Sequence, residues 1–136
     1  MSERRLILGA VVMNNGSHAL HGLWRLPEAQ KQREFERLDH WIDFAQSLER
    51  GHFDFLFFAD IIGSYDVYGG NWEASVRHGT QFPTGDPLIL TTALATHTSN
   101  LGFVVTSSVF YQKPYAFARQ IPPSTISAVG ESRGTS

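Results

Sequence analysis

Three apolar runs divide the chain, and polar or amphipathic segments separate them. The runs are LILGAVVM (Leu6–Met13), FDFLFFAD (Phe53–Asp60) and LGFVVTSSVF (Leu101–Phe110). Each has the length of a strand, and runs that are apolar on both faces are typical of parallel strands covered by helices. The pattern therefore predicts three strands of a parallel sheet.

Helical spacing predicts the elements between the strands. Residues 28–51 place one apolar stripe opposite their charges, with Pro27 before the start and Gly51 at the end. Asp86 and Pro87 predict a second helix, as N-cap and first helical residue, running to near Asn100. PYAFARQ (residues 114–120) begins a third helix, and the loop after the second strand has room for one helical turn.

Alternating strands and helices predict an α/β fold with right-handed crossovers. Two architectures fit, a doubly wound open sheet and the opening half of a (β/α)8 barrel. No GxGxxG follows the first strand, so the dinucleotide-binding form of the open sheet has no support.

Composition narrows the class of protein. The 136 residues suffice for one modest domain, and 42% hydrophobic against 18% charged residues indicates a globular chain. A net charge of −2 without a basic block argues against nucleic acid and acidic membranes as partners. There is no cysteine, hence no disulfide framework. The first apolar run is too short to span a bilayer and no signal-peptide pattern follows it, so we expect a cytoplasmic protein.

Three places could carry chemistry, because catalytic groups of a parallel barrel lie at the carboxyl ends of the strands and in the loops after them. His18 lies in the first loop, NNGSHALHGLWR. It is either an ordinary surface histidine or a group that hydrogen-bonds the substrate. Asp60 ends the second strand, and two roles fit it. It either caps the turn that follows or accepts hydrogen bonds from N–H or hydroxyl groups of a bound cofactor. Tyr65 follows it, as a packing anchor or a pocket lining. Thr106 ends the third strand, where its hydroxyl satisfies backbone groups or binds a cofactor. No histidine spacing suits a metal.

Four stretches together resemble the bacterial-luciferase-like flavin monooxygenases. They are MNNGSHALHGLWRLPE, LERGHFDFLFFADIIGSYDVYGG, TGDPLILTTALATHTSNLGFVVTSS and KPYAFARQ. The similarity is to the branch containing nitrilotriacetate monooxygenase component A, pristinamycin synthase, dibenzothiophene-sulfone monooxygenase and long-chain alkane monooxygenase. It covers about residues 5 to 121 and implies the N-terminal three β/α units of a TIM (β/α)8 barrel, truncated.

The resemblance also implies a function and its partners. Members use reduced FMN, supplied by a separate NAD(P)H-dependent flavin reductase, and O2 to oxygenate a small organic substrate, and we expect a homo-oligomeric family. The resemblance assigns Asp60 and Thr106 to FMN binding, and His18 and Tyr65 to catalysis near the substrate and the reactive edge of the flavin. Asn15 stands where alkane-type members have a cysteine, which argues against an alkane as substrate.

The end of the chain departs from the family. A TIM barrel needs about 250 residues. After Gln120 the family continues with a segment like ISTLDHLSGGRVAWNI, whereas this chain reads IPPSTISAVGESRGTS. One choice of codons for this tail restores the family segment when a single base is inserted after the codon for Ile121. We therefore interpret 1–121 as the N-terminal part of the barrel and 122–136 as an out-of-frame, disordered tail, and expect the chain to be inactive alone.

Two other classes remain open from the sequence. A deazaflavin-dependent reductase uses a barrel of the same superfamily, although GLWR and SYDVYGG favour the monooxygenase branch. A non-enzymatic fragment or module could assemble through an open sheet edge.

Overall fold

A computed structural model describes residues 5–16, 26–27, 34–79, 81–108 and 113–120 of the chain. Strands and helices alternate in these residues as the sequence predicts, and the predicted single turn in the long loop is α2. The elements, in chain order, are β1 (Gly9–Val12), α1 (Leu38–Arg50), β2 (Phe55–Phe58), α2 (Glu73–His78), α3 (Pro87–Leu94), β3 (Gly102–Val105) and α4 (Pro114–Gln120). The predicted disordered tail lies outside the described residues.

The three strands form one parallel sheet in the order β1-β2-β3, which confirms the predicted α/β class. Its register is unbroken from strand to strand, so that Val12 pairs with Phe58 and Phe58 pairs with Val105. Successive strands that are neighbours and parallel are consistent with part of a barrel, in which each strand follows its predecessor around the axis.

Two predicted helix bounds are wrong. The first helix begins at Leu38 and not at residue 28, because Arg37 is extended (φ −92°, ψ 121°) and the Phe35 carbonyl accepts the Trp41 indole N–H at 2.7 Å. Residues 28–33 lie outside the described part. The second helix ends at Leu94, short of Asn100. There the hydroxyls of Thr96 and Thr98 donate to the carbonyls of Ala93 and Leu94. Such side-chain hydrogen bonds compete with the backbone hydrogen bonds of a helix and are therefore favoured at helix ends.

The core lies between one face of the sheet and the helices α1 and α3. Leu56 and Phe58 of β2 have no exposed surface, and the Phe58 ring lies 5.2 Å from that of Trp41. The period of two along the strand sends these side chains to the helical side. The cluster is completed by Ala45, Leu48, Leu94, Leu101 and Phe103.

The opposite face of the sheet stays open in the described residues. Val11 of β1 is 56% exposed and Val104 of β3 is 41% exposed. Two residues earlier in the register, the Phe55 ring lies across Gly9, where an added Cβ would come within 2.2 Å of the ring. Gly9 therefore provides the space in which an aromatic side chain lies flat on its neighbour strand.

The carboxylate of Glu49 ties α1 to the turn before β3. It accepts the backbone N–H groups of Ser99, at 2.7 Å, and of Asn100. These two hydrogen bonds, Asn100 first, hold the pKa of Glu49 below its usual range. The side chain thus fixes the approach of β3 to the sheet.

We predict that Glu49→Gln lowers the free energy of unfolding by less than about 1 kcal/mol at neutral pH, since the carboxylate is near solvent. Because its pKa is lowered in the folded state, this stabilisation is complete above the ordinary Glu pKa of about 4.3 and is lost as the pH falls through the folded-state value. Urea unfolding from pH 7 to pH 3 should show the difference between the two proteins shrinking. A constant difference would contradict the assignment.

Candidate functional site

The carboxyl ends of the three strands meet at one edge of the sheet. The N–H of Ala59 donates to the Val12 carbonyl at 2.8 Å, and the N–H of Thr106 donates to the Phe58 carbonyl at 3.0 Å. The ladder therefore continues one residue past β2 and past β3, and the segments after the three strands begin side by side. Asp60 and Thr106, assigned separately from the sequence, lie at this shared edge.

Asp60 is half-buried where β2 ends. Burial raises the pKa of its carboxyl above the ordinary value, and the nearby Asp86 raises it further. The Ile61 backbone N–H and the Thr84 hydroxyl, which lie near the carboxylate, oppose this rise in pKa. The result is a carboxylate that the fold holds partly away from water, next to hydrogen-bond donors and a second acid.

The loop before α3 packs onto the loop after β1. The Asn14 carbonyl accepts the Gly85 N–H at 2.8 Å and the Thr84 hydroxyl at 3.2 Å. Asn15 and Thr84 also form an isolated antiparallel bridge. Asn14 and Asn15 are buried, at 7% and 3% exposure. Asn15, where the resemblance implies a cysteine in alkane-type members, thus lies in a packed segment of the edge.

A cavity of about 420 Å³ opens between α1 and α3 beside this edge. It is lined by Asn14 and Gly85 from the two loops, by Trp41 of α1 and by Ile89 of α3. The Oδ1 atom of Asn14 is buried without a partner in the described part of the chain.

No side-chain contact in the described residues joins the other predicted site residues to Asp60. Tyr65 lies on the loop after β2, is 53% exposed, and its carbonyl accepts the Ser75 hydroxyl at 3.3 Å. Within the described segments no hydrogen bond joins its side chain to Asp60 or Thr106. The Thr106 side chain is exposed at the edge. His18 lies outside the described residues.

Sequence reasoning missed Thr84 and gave Asp86 too small a role. Asp86 was predicted as the cap of α3, and its side chain does accept the Leu88 N–H at 2.8 Å. Both residues also lie beside Asp60. The available signal was topological, because a helix that follows a parallel strand begins near the carboxyl edge from which that strand leaves.

Neither a membrane span nor a metal cluster appears where the structure is described. No helix there is long and apolar enough to cross a membrane. No group of three or more acidic or histidine side chains in the same residues could hold a metal ion.

A parallel sheet that has α1 and α3 on one face, and Asp60 and Thr106 at its carboxyl edge, is consistent with the arrangement of barrel enzymes. No protein-family model matches the chain. The long-chain alkane monooxygenase of Geobacillus thermodenitrificans is 44% identical over 118 residues, which is 87% of this chain and 27% of that protein.

Two solved structures share both the fold and more than 30% of their aligned residues with this chain. The crystal structure of DmoA from Hyphomicrobium sulfonivorans superposes with a TM-score of 0.80 at 40% identity, over 87% of this chain and 25% of that one. A riboflavin lyase (RcaE), solved with modified FMN and riboflavin, gives 0.78 at 34% identity, over 87% and 26%. The chain belongs to the luciferase-like monooxygenases. It spans about a quarter of the length of the relatives that it matches.

Proposed function

We propose that the chain forms part of the cofactor and substrate site of a two-component flavin-dependent monooxygenase. The enzyme takes reduced FMN from a separate NAD(P)H-dependent flavin reductase and uses O2 to oxygenate a small organic substrate. The observation that carries the proposal is the shared register of β1, β2 and β3, which places Asp60 and Thr106 at one edge. The flavin-dependent relatives support the same reaction class.

The residues at the edge fit a flavin chemically. Asp60 is an acceptor for N–H and hydroxyl donors of the cofactor, and its partial burial strengthens such hydrogen bonds. The exposed Thr106 hydroxyl can donate or accept at the neighbouring strand end. Bound reduced flavin supplies the electrons and the oxygen chemistry, whereas the protein contributes position, hydrogen bonds and exclusion of water.

The loops after β1 and β2 carry the proposed substrate side of the site. Tyr65 presents its hydroxyl from the second loop, and His18 belongs to the first. We propose that these two residues hold the substrate and exchange protons near it. The Asn14–Thr84 contact joins the two loops at their base, which keeps them on the same side of the sheet.

A chimera tests the function, because the relatives extend well beyond the segment matched here. Residues 5–120 would replace the aligned segment of the G. thermodenitrificans alkane monooxygenase, with that unmodified enzyme as the control. The chimera should bind reduced FMN and consume O2 with formation of oxygenated product when a flavin reductase and NAD(P)H are present. Substrates would be screened among small organic molecules, including sulfur compounds.

Two results would contradict the proposal. One is a folded chimera that does not bind reduced FMN. The other is a folded chimera that binds a deazaflavin cofactor in preference and transfers hydride without consuming O2, which would identify a reductase.

A further inference from the structure

The cavity between α1 and α3 combines apolar walls with acceptor atoms and acidic side chains. Its volume of about 420 Å³ falls within the range of small-molecule sites, roughly 300–1,000 Å³. We propose that this cavity binds a small organic cation, namely a protonated amine that carries an apolar group. Such binding is a property of the cavity and is independent of the flavin chemistry proposed above.

Exposed apolar side chains border the cavity on both helices. Leu38, at the start of α1, is 44% exposed, and Ile89, in the first turn of α3, is 72% exposed. Both line the cavity together with Trp41 and Leu90. An apolar ligand group placed between the helices covers these side chains and removes their surface from water, which favours binding. The walls therefore select a ligand with an apolar body.

The side-chain donors of the cavity are largely used inside the protein. The Trp41 indole N–H donates to the Phe35 carbonyl at 2.7 Å, and the Thr84 hydroxyl donates to the Asn14 carbonyl at 3.2 Å. Asn14 is 7% exposed, and its Oδ1 atom has no donor in the described part of the chain. A ligand in this cavity therefore meets acceptors more often than free donors, which favours a ligand that supplies N–H groups.

Both charged side chains that line the cavity are acidic. Glu36 is exposed just before α1, and Asp86 is the N-cap of α3. Neither forms an ion pair with another described residue. Arg37, although it follows Glu36 directly, pairs with Glu34 and Asp39 instead. The cavity therefore favours a positive ligand charge, and N–H groups of a cation form the stronger hydrogen bonds with carboxylates.

The test compares three probes that share one apolar ring and differ in charge: cyclohexylmethylammonium, cyclohexylmethanol and cyclohexanecarboxylate. Each is titrated at neutral pH into the isotopically labelled 136-residue chain and followed by NMR. The ammonium probe should bind about tenfold more tightly than the alcohol, as expected for one hydrogen bond to a charged group. The carboxylate should bind most weakly. The shifted signals should include the Trp41 indole N–H and the backbone of α3.

Three results in the wild-type chain would overturn the proposal. The first is equal affinity for the ammonium and alcohol probes, which would mean that the acidic side chains select nothing. The second is tighter binding of the carboxylate, which would mean that the N-terminus of α3 attracts anions more strongly than Asp86 repels them. The third is a complete lack of binding, or shifts confined to other parts of the chain.

Glu36→Gln separates charge from packing, because Glu36 is exposed and outside the core. It should weaken the ammonium probe about threefold, as is usual for an exposed ion pair, and leave the alcohol unchanged. Asp43→Asn is the matched control, since Asp43 is an exposed acid of α1 that does not line the cavity. Equal weakening in both variants would reflect net charge alone and would overturn the site.

Ile89→Gln tests the apolar wall on an exposed position of α3. It should weaken the ammonium and alcohol probes by the same factor, because both place the same ring in the cavity. Unchanged affinities would contradict the placement of the ligand. If a variant does not fold, the three probes on the wild-type chain decide the matter. No flavin is present in these titrations, so their failure is distinct from failure of the monooxygenase assignment.

Discussion

Phe58→Ala is expected to lower the free energy of unfolding by about 3–5 kcal/mol, the usual cost of deleting a fully buried aromatic side chain. Phe58 has no exposed surface and packs against Trp41 at the centre of the contact between sheet and helices. Its removal leaves a cavity between two rigid layers that cannot close around it. Urea unfolding monitored by circular dichroism gives the difference from the wild-type protein.

Phe57→Ala is the matched control for this effect. Phe57 is the preceding residue on the same strand, but it points to the open face and is only half-buried. The same chemical change should therefore cost clearly less than Phe58→Ala. Equal losses would mean that the open face is covered in solution, and would contradict the one-sided core.

Asp60→Ala in the chimera is expected to lower kcat/KM by about 10- to 150-fold. The estimate follows from losing a hydrogen bond to a charged group, about 1.5–3 kcal/mol, at about 1.4 kcal/mol per tenfold change. The loss should accompany weaker binding of reduced FMN, because Asp60 is proposed to contact the cofactor. Steady-state oxygenation and equilibrium flavin titration measure the two effects.

Asp66→Ala provides the comparison, since it removes a carboxylate six residues further along the same loop. Asp66 is exposed, and its loss should leave kcat/KM within about twofold, as is usual for surface changes of less than about 0.5 kcal/mol. Wild-type flavin affinity in Asp60→Ala would remove Asp60 from the cofactor site. A large loss in Asp66→Ala would instead point to a general requirement for the loop.

The sequence predicted the strands and the buried side of α1 well, because residue type and spacing indicate which positions are buried. The run from Phe53 to Asp60 contains a strand that is apolar on both faces, and the stripe of Trp41, Ala45 and Leu48 forms the buried side of α1. Element ends were predicted less well. The Trp41 indole N–H donates to the Phe35 carbonyl just before α1, and threonine hydroxyls donate to carbonyls of the last turn of α3. Periodicity contains no information on such side-chain bonds.

The candidate site likewise contains residues that the sequence could indicate and residues that it could not. Asp60 and Thr106 could be selected as strand-end polar groups, and the register brings their segments together. Thr84 could not be selected, because its hydrogen bond to the Asn14 carbonyl depends on a loop of more than twenty residues returning to Asn14. His18 and Tyr65 remain predictions from the family resemblance.

By itself the sequence determined the α/β class, the strands and the apolar stripe of α1, since these follow from local periodicity and hydrophobicity. The four matching stretches also indicated the luciferase-like family. Only the tertiary structure decided that the helices cover one face of the sheet and that Thr84 and Asp86 adjoin Asp60. The reason is physical: hydrogen bonds and charge interactions between distant segments depend on how the chain closes its loops, and local sequence patterns do not record that closure.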